Sequence, residues 1–328
     1  MTRREFIVHL GGAVVAWPLT ARAQQPRLPQ IGFLSATTLG SYRPLVDSFH
    51  RGLNEIGYVE GRNVAIQYGI AEDHAERLPE LAADLVQRRV AVIATFNNVG
   101  AALAAKAATQ SIPIVFVIGA DPIRNGLVTN LARPDANITG VTLFAGELLQ
   151  KRLTLLRELV PSAKRIVYLV NYTNPAFSED GTRRVVIGAH AVGIELIPTN
   201  VSTESDIDEA FMRLSQQQVG AVYISGDSFL MAQRERLVAL AARFKLPASY
   251  FARDFVEVGG LMSYASNHTD MYRQAGTYVG RILNGEKPAD LPVLQPTRFE
   301  LVINLRTAKT LGIVVPQSIL LRTDEVIE

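Results

Sequence analysis

Short hydroxyl, amide and acid side chains gather directly after apolar runs in this chain, a pattern suited to holding a small polar solute. The clusters are Ser35–Thr38, Thr95–Asn98, Gly119–Pro122, Asn171–Asn174, Ser225–Ser228, Tyr250–Arg253 and Ser263–Asn267. Several open into helical patterns. A helix start leaves backbone N–H groups free and carries partial positive charge, which suits a carboxylate. Ser and Thr hydroxyls add donors, while Asp121 or Asp227 suits an ammonium. Phe96, Tyr172, Phe229, Tyr250 and Tyr264 supply flat apolar surface for a side group. Each residue alone also has a plainer role as an N-cap or a core aromatic. The convergence of many such clusters is what points to a zwitterion or acid with an apolar body.

Other chemistries find little support. The chain has no Cys, which excludes disulfides, thiolate metal sites and cysteine nucleophiles. No G-x-G-x-x-G follows the first strand pattern and no G-x-x-x-x-G-K-[ST] occurs, so no nucleotide cofactor is expected. His9, His50, His74, His190 and His268 are scattered without metal-ligand spacing, and each is read as a surface or internally satisfied histidine. Gly226-Asp227-Ser228-Phe229 is similar to the Gly-Asp-Ser-Leu signature of certain esterases. It falls late in the chain, and the only Asp-x-x-His, Asp47 to His50, lies upstream of it. No catalytic residue is therefore expected.

The elements that must position these clusters alternate in kind. The chain has 328 residues, 48% hydrophobic and 20% charged, which is enough for about two lobes. Short β-branched runs at Ile31–Ser35, Val64–Tyr68, Val90–Thr95 and Ile114–Ile118 read as buried strands. Between them lie helical stripes. Leu45, Phe49, Leu53 and Ile56 form one, closed by Gly57, and Pro79 opens another. The alternation recurs at Ile166–Val170, Ile194–Pro198, Ala221–Ile224 and Pro247–Tyr250, with a helix over 206–217 capped from Ser205 and Asp208. A strand over Phe299–Ile303 and a helix over Leu305–Leu311 complete one lobe. The pattern predicts two α/β lobes with parallel sheets, joined near Thr139–Phe144 and crossed again near Leu261–Asn267, with a cleft between them.

The N-terminus reads as an address rather than as fold. Arg3-Arg4-Glu5-Phe6 precedes a short apolar run from Ile7 to Leu19, and Ala21-Arg22-Ala23 offers small residues for cleavage. The paired arginines resemble a twin-arginine export signal. Removing residues 1–23 takes Arg3, Arg4, Arg22 and Glu5 away and brings the formal net charge from +2 to zero. That balance gives no electrostatic basis for gripping nucleic acid. Beyond residue 23 no apolar run is long enough to span a bilayer, so no membrane insertion of the mature chain is expected.

Longer blocks carry a family resemblance. Ile31–Ser35 (IGFLS), Phe49–Val64 (FHRGLNEIGYVEGRNV), Ile112–Phe116 (IPIVF), Gly259–Tyr264 (GGLMSY) and Phe299–Gly312 (FELVINLRTAKTLG) resemble the ABC-transporter substrate-binding proteins of the tryptophan-binding-protein-like family. The resemblance runs from about Gln30 to Glu328. It implies a type I periplasmic binding protein, with two Rossmann-like parallel-sheet lobes joined by a three-strand hinge. Its expected lobes are 27–143 with 267–290, and 144–266 with 291–328. Carried over position by position, the ligand-facing residues would be Ser35, Thr37, Thr95, Asn97, Ala120, Asp121, Asn171, Asn174, Asp227, Tyr250 and Tyr264. The implied role is periplasmic delivery of a small ligand, without cofactor or metal, to an inner-membrane permease driven by a cytoplasmic ATPase. A periplasmic sensor for a signalling partner is the alternative on the same fold.

Overall fold

The structure is a computed structural model describing residues 28–328, except 97, 135, 144–147, 175–178, 192, 215, 216 and 218. The expected export signal, residues 1–23, therefore lies outside the described residues.

The first lobe begins with β1 (Gln30–Ser35), α1 (Arg43–Glu55), β2 (Ala65–Ile70), α2 (Leu78–Gln87), β3 (Val92–Phe96), α3 (Val99–Ala108), β4 (Ile114–Ile118) and β5 (Ile138–Thr142). The strands form one parallel sheet in the order β2-β1-β3-β4-β5. Every residue of β3, β4 and β5 is buried, as expected for strands covered on both faces, although β5 is an edge strand of the sheet with residues 291–294 beside it. The apolar stripe of α1 buries Leu45, Val46, Phe49 and Leu53 against the sheet. Gly57, at φ +89°, turns the chain out of that helix in a backbone conformation that side chains rarely adopt.

The second lobe adds α4 (Leu149–Leu159), β6 (Arg165–Val170), α5 (Glu179–Ala191), β7 (Glu195–Asn200), α6 (Glu204–Leu214), β8 (Ala221–Ile224), α7 (Ser228–Ala232), α8 (Arg234–Arg243), β9 (Ala248–Tyr250), α9 (Arg253–Glu257) and β10 (Met262–Ser266). After α10 (His268–Leu283) come β11 (Phe299–Asn304), α11 (Leu305–Thr310), α12 (Gln317–Leu320) and β12 (Glu325–Ile327). The second sheet runs β12-β11-β10-β9-β8-β6-β7, and only β10 and β11 pair antiparallel. Its segment β7-β6-β8-β9-β10 repeats the strand order of the first sheet. The repeat noticed in sequence is thus a repeat of topology.

Helix α10 follows β10 in sequence but packs on α1 and on the first sheet. Gly52 and Gly276 allow this. A Cβ on either would collide with backbone carbonyl oxygen of the facing helix, that of Arg273 or Phe49 respectively. The chain therefore passes between the sheets between Thr142 and Leu149, between Ser266 and His268, and between Leu294 and Phe299. The last passage falls later than the 290/291 boundary expected from sequence. Residues 291–294 still run beside β5, where the Thr139 hydroxyl donates to the Leu291 carbonyl over 2.6 Å and Leu294 N–H donates to the Gly140 carbonyl over 2.9 Å.

Two local expectations also change. The segment around Thr139–Phe144 contains a fifth strand, concealed in sequence because Thr139, Gly140 and Thr142 interrupt its apolar run. Helix α6 begins at Glu204 rather than at Asp206. Thr203 and Asp206 cap it reciprocally: the Asp206 N–H donates to the Thr203 hydroxyl, and the Asp206 carboxylate accepts from Thr203 N–H.

Candidate functional site

In both sheets the strand order reverses between the first and third strands of the lobe, β1/β3 and β6/β8. Parallel sheets place ligands in the crevice beyond the strand ends at such a point. The two crevices face each other here. The Tyr42 hydroxyl donates to the Ser228 carbonyl across the cleft at 2.6 Å, and near the hinge the Ser266 hydroxyl donates to the Leu143 carbonyl at 3.0 Å. One cluster of buried apolar side chains contains both Phe33 of the first lobe and Val222 of the second. The lobes are shut on each other.

A pocket remains between them, with about 300 Å³ of empty space that is partly open to solvent. Tyr42, Gly119 and His268 wall it from the first lobe, and Asp227, Ser228 and Phe251 from the second. A neighbouring hollow of about 220 Å³ shares Tyr42 and is lined by Ser35, Thr37, Phe96 and Tyr272. Its aromatic wall continues into the first lobe. Phe33 stacks on Phe96 at 4.3 Å between centroids, and Phe96 on Tyr272 at 5.1 Å. Such a wall is stiff, flat and apolar, and it suits an aromatic or aliphatic body.

The polar end is organised by Asp227. Its carboxylate accepts from Asn171 Nδ2 at 3.2 Å and from Asn174 Nδ2 at 2.7 Å, and it caps α7 by accepting from Leu230 N–H at 3.1 Å. Burial pushes this carboxyl above the usual range, while the hydrogen bonds from Asn174, the α7 backbone and Asn171 pull it back. Asp73, on the loop after β2, is also raised, first by burial and then by the charge of Asp227 across the cleft. Asp73 from the first lobe and Asp227 from the second thus set two carboxylates against each other across the closed cleft.

The expected site residues divide accordingly. Asn171, Asn174 and Asp227 come together, and Ser35 and Thr37 line the adjoining hollow, where the Ser35 hydroxyl donates to the Thr37 carbonyl at 3.0 Å. Ala120 sits beside the pocket wall, its carbonyl accepting from the Thr142 hydroxyl at 3.3 Å. Asp121 caps the following turn, accepting from Ile123 N–H at 2.8 Å and Arg124 N–H at 3.2 Å. Thr95 shares a strand face with Ile93, which packs under α2 and α3, so alternation turns its hydroxyl away from the aromatic hollow. Tyr250 is a core residue, buried and stacked on Phe255 at 4.7 Å. Tyr264 lies within β10, on the face that packs under α4, with its ring 6.0 Å from Phe299. Asn97 lies outside the described residues.

The expected site residues did not include Tyr42 or His268, and within the Tyr250–Arg253 cluster they named Tyr250 where Phe251 is the residue that lines the pocket. His268 is not a surface or satisfied histidine. It is 6% exposed, and its Nδ1 has no hydrogen-bond partner among the described residues. Its position directly after the N-capping Asn267 was the available signal. In Gly226-Asp227-Ser228-Phe229 the acid is engaged as an N-cap and the Ser228 carbonyl serves the lobe contact, so the motif is a helix start. Among the described residues no group of acids and histidines could hold a metal ion, and no helix is long and apolar enough to cross a membrane.

Comparison with known proteins agrees with this geometry. The family model for ABC transporter substrate binding proteins matches residues 39–327. A tyrosine-binding protein of Clostridioides difficile is 25% identical over 265 residues, covering 80% of this chain and 75% of that protein. The crystal structure of an ABC domain with L-Trp from Streptococcus pneumoniae is 26% identical, with a TM-score of 0.80 over 92% of this chain and 100% of that one. A conserved domain protein of Vibrio cholerae, 24% identical, reaches a TM-score of 0.82 with the same coverage of both chains and shares the fold. The fold is that of the type I periplasmic binding proteins, and the family is one of binding proteins rather than enzymes. This chain belongs to the ABC transporter substrate-binding proteins.

Proposed function

We propose that the chain is the exported, periplasmic solute receptor of an ABC uptake system, and that its cargo is a small acid with an apolar body, either an amino acid or an aromatic acid. The observation that carries this reading is the pocket between the two lobes, which holds Asp227 and adjoins, through Tyr42, the aromatic-walled hollow of the first lobe. The ligand named for the Streptococcus pneumoniae structure, L-Trp, and the tyrosine named for the Clostridioides difficile protein are of this class.

The mechanism is lobe closure. A ligand that touches both walls binds the closed form better than the open one and shifts the population by that difference. The closed face is then what a membrane permease reads, and the ligand leaves chemically unaltered.

A thermal-shift screen of L-tyrosine, L-tryptophan, other amino acids and benzoate tests the reading. A ligand present at about 100 times its Kd stabilises the native state by roughly 2.7 kcal/mol, a rise of several degrees in Tm for a chain of this size. No shift with any amino or aromatic acid would contradict the proposed cargo class.

A further inference from the structure

His268 is the first residue of α10, a helix of 16 residues whose start faces the cleft pocket. Asn267 caps that helix, its side chain accepting from Asp270 N–H at 2.9 Å while its carbonyl accepts from Met271 N–H. The remaining positive end of the helix is directed at the space the ring occupies. A buried imidazole nitrogen without a partner is unfavourable, and a ligand group entering the pocket would supply the missing hydrogen bond. Burial pushes the His268 pKa down, with Asp254 of α9 opposing, so the neutral ring offers one N–H donor and no net charge of its own.

The charges around the ring set the direction. Asp227 lines the same pocket from the second lobe, and Asp254 lies close enough to act on the imidazole. Both repel an anionic group from the second-lobe side. Against these carboxylates and Asp73 of the first lobe, the start of α10 offers an acid group free N–H groups and partial positive charge, with Asp270 in the same turn opposing.

We propose that His268 selects for an acid group on the cleft ligand: Nδ1–H and the positive end of α10 together receive one carboxylate oxygen. This rests on the solute-receptor reading above and assigns the orientation of the ligand within it. The carboxylate points toward the first lobe, and an amino group, where the ligand has one, points toward Asp227.

Calorimetric titration with matched acids and amides tests this, using benzoate with benzamide and L-tyrosine with L-tyrosinamide. The wild-type chain binds the acid at least ~10-fold more tightly than its amide, because the hydrogen bond to a carboxylate is charge-assisted. In H268F the acid-to-amide ratio collapses toward unity. Asparagine presents an N–H near the position of Nδ1 and glutamine near that of Nε2, so H268N keeps part of the preference and H268Q loses it. Variants that fold but retain the wild-type ratio in H268F or H268Q overturn the assignment. A wild-type chain that prefers neither acid over its amide overturns the assignment alone, whereas one that shifts with no amino or aromatic acid in the thermal-shift screen overturns the cleft reading itself.

Discussion

The hydroxyl of Tyr42 and the carbonyl of Ser228 are hydrogen-bonded across the cleft at 2.6 Å, although 186 positions separate them in sequence. Tyr42 is anchored just before α1 and Ser228 opens α7, so one bond ties the strand-end regions of the two lobes. Separating the lobes would break it. It also adjoins both hollows, because Tyr42 lines each of them.

Tyr42→Phe removes that bond while keeping the ring. A typical buried hydrogen bond contributes about 1 kcal/mol, so ligand affinity should fall by roughly fivefold through a shift toward the open form. Calorimetry with whichever ligand raises Tm, and small-angle scattering of the liganded state, would measure it. Unchanged affinity would mean the bond does not favour closure.

Asp227 serves structure, and in the proposed reading binding as well. Asp227→Ala removes an N-cap and leaves the Asn171 and Asn174 amides without their acceptor, so it should lower stability by about 1–3 kcal/mol in urea unfolding. Asp227→Asn keeps the shape but loses the charge. It should weaken amino-acid ligands while leaving benzoate binding unaffected or improved. Equal losses for both ligand types would separate Asp227 from ammonium recognition.

Asp73 gives a pH signature. Its side chain is exposed on one side, but partial desolvation and the charge of Asp227 raise its carboxyl above the ordinary value, so its ionised form costs a little stability in the folded, closed chain. That cost is fully present above the folded pKa and fades as pH falls through it. Asp73→Asn should therefore raise Tm at pH 7, and the gain should shrink as pH approaches the acid range of carboxylates. Asparagine tolerates the positive φ of 66° at this position. A gain independent of pH would point to a cause other than charge.

The α1–α10 contact depends on two missing side chains. Gly52→Ala or Gly276→Ala places a methyl against backbone that cannot move cheaply, and each should cost about 1–3 kcal/mol or more. Chemical denaturation would read this directly. Because α10 carries His268, a milder variant that still folds should also bind ligand more weakly.

Much of this was legible in the chain because it depends on local periodicity. Ile114–Ile118 and Ala221–Ile224 are apolar runs that became strands with the expected ends, and Gly57 ends α1 as its position implied. The Asn171–Asn174 and Ser225–Ser228 loops were legible for the same reason, since the end of a parallel strand fixes where its loop opens. Tyr250 and Tyr264 were misplaced. A tyrosine after an apolar run looks the same whether its ring enters a cleft or a core, and only packing against Phe255 or Phe299 decides.

The sequence by itself determined two α/β halves of like topology, the strand ends that would carry polar groups, and the family. Tertiary structure decided which of those groups meet. Tyr42 and Ser228, or Asp227 and His268, come from distant segments, and their approach depends on the return of α10 to the first lobe and on the angle of closure. No local pattern encodes either, because both follow from long-range burial summed over many weak contacts.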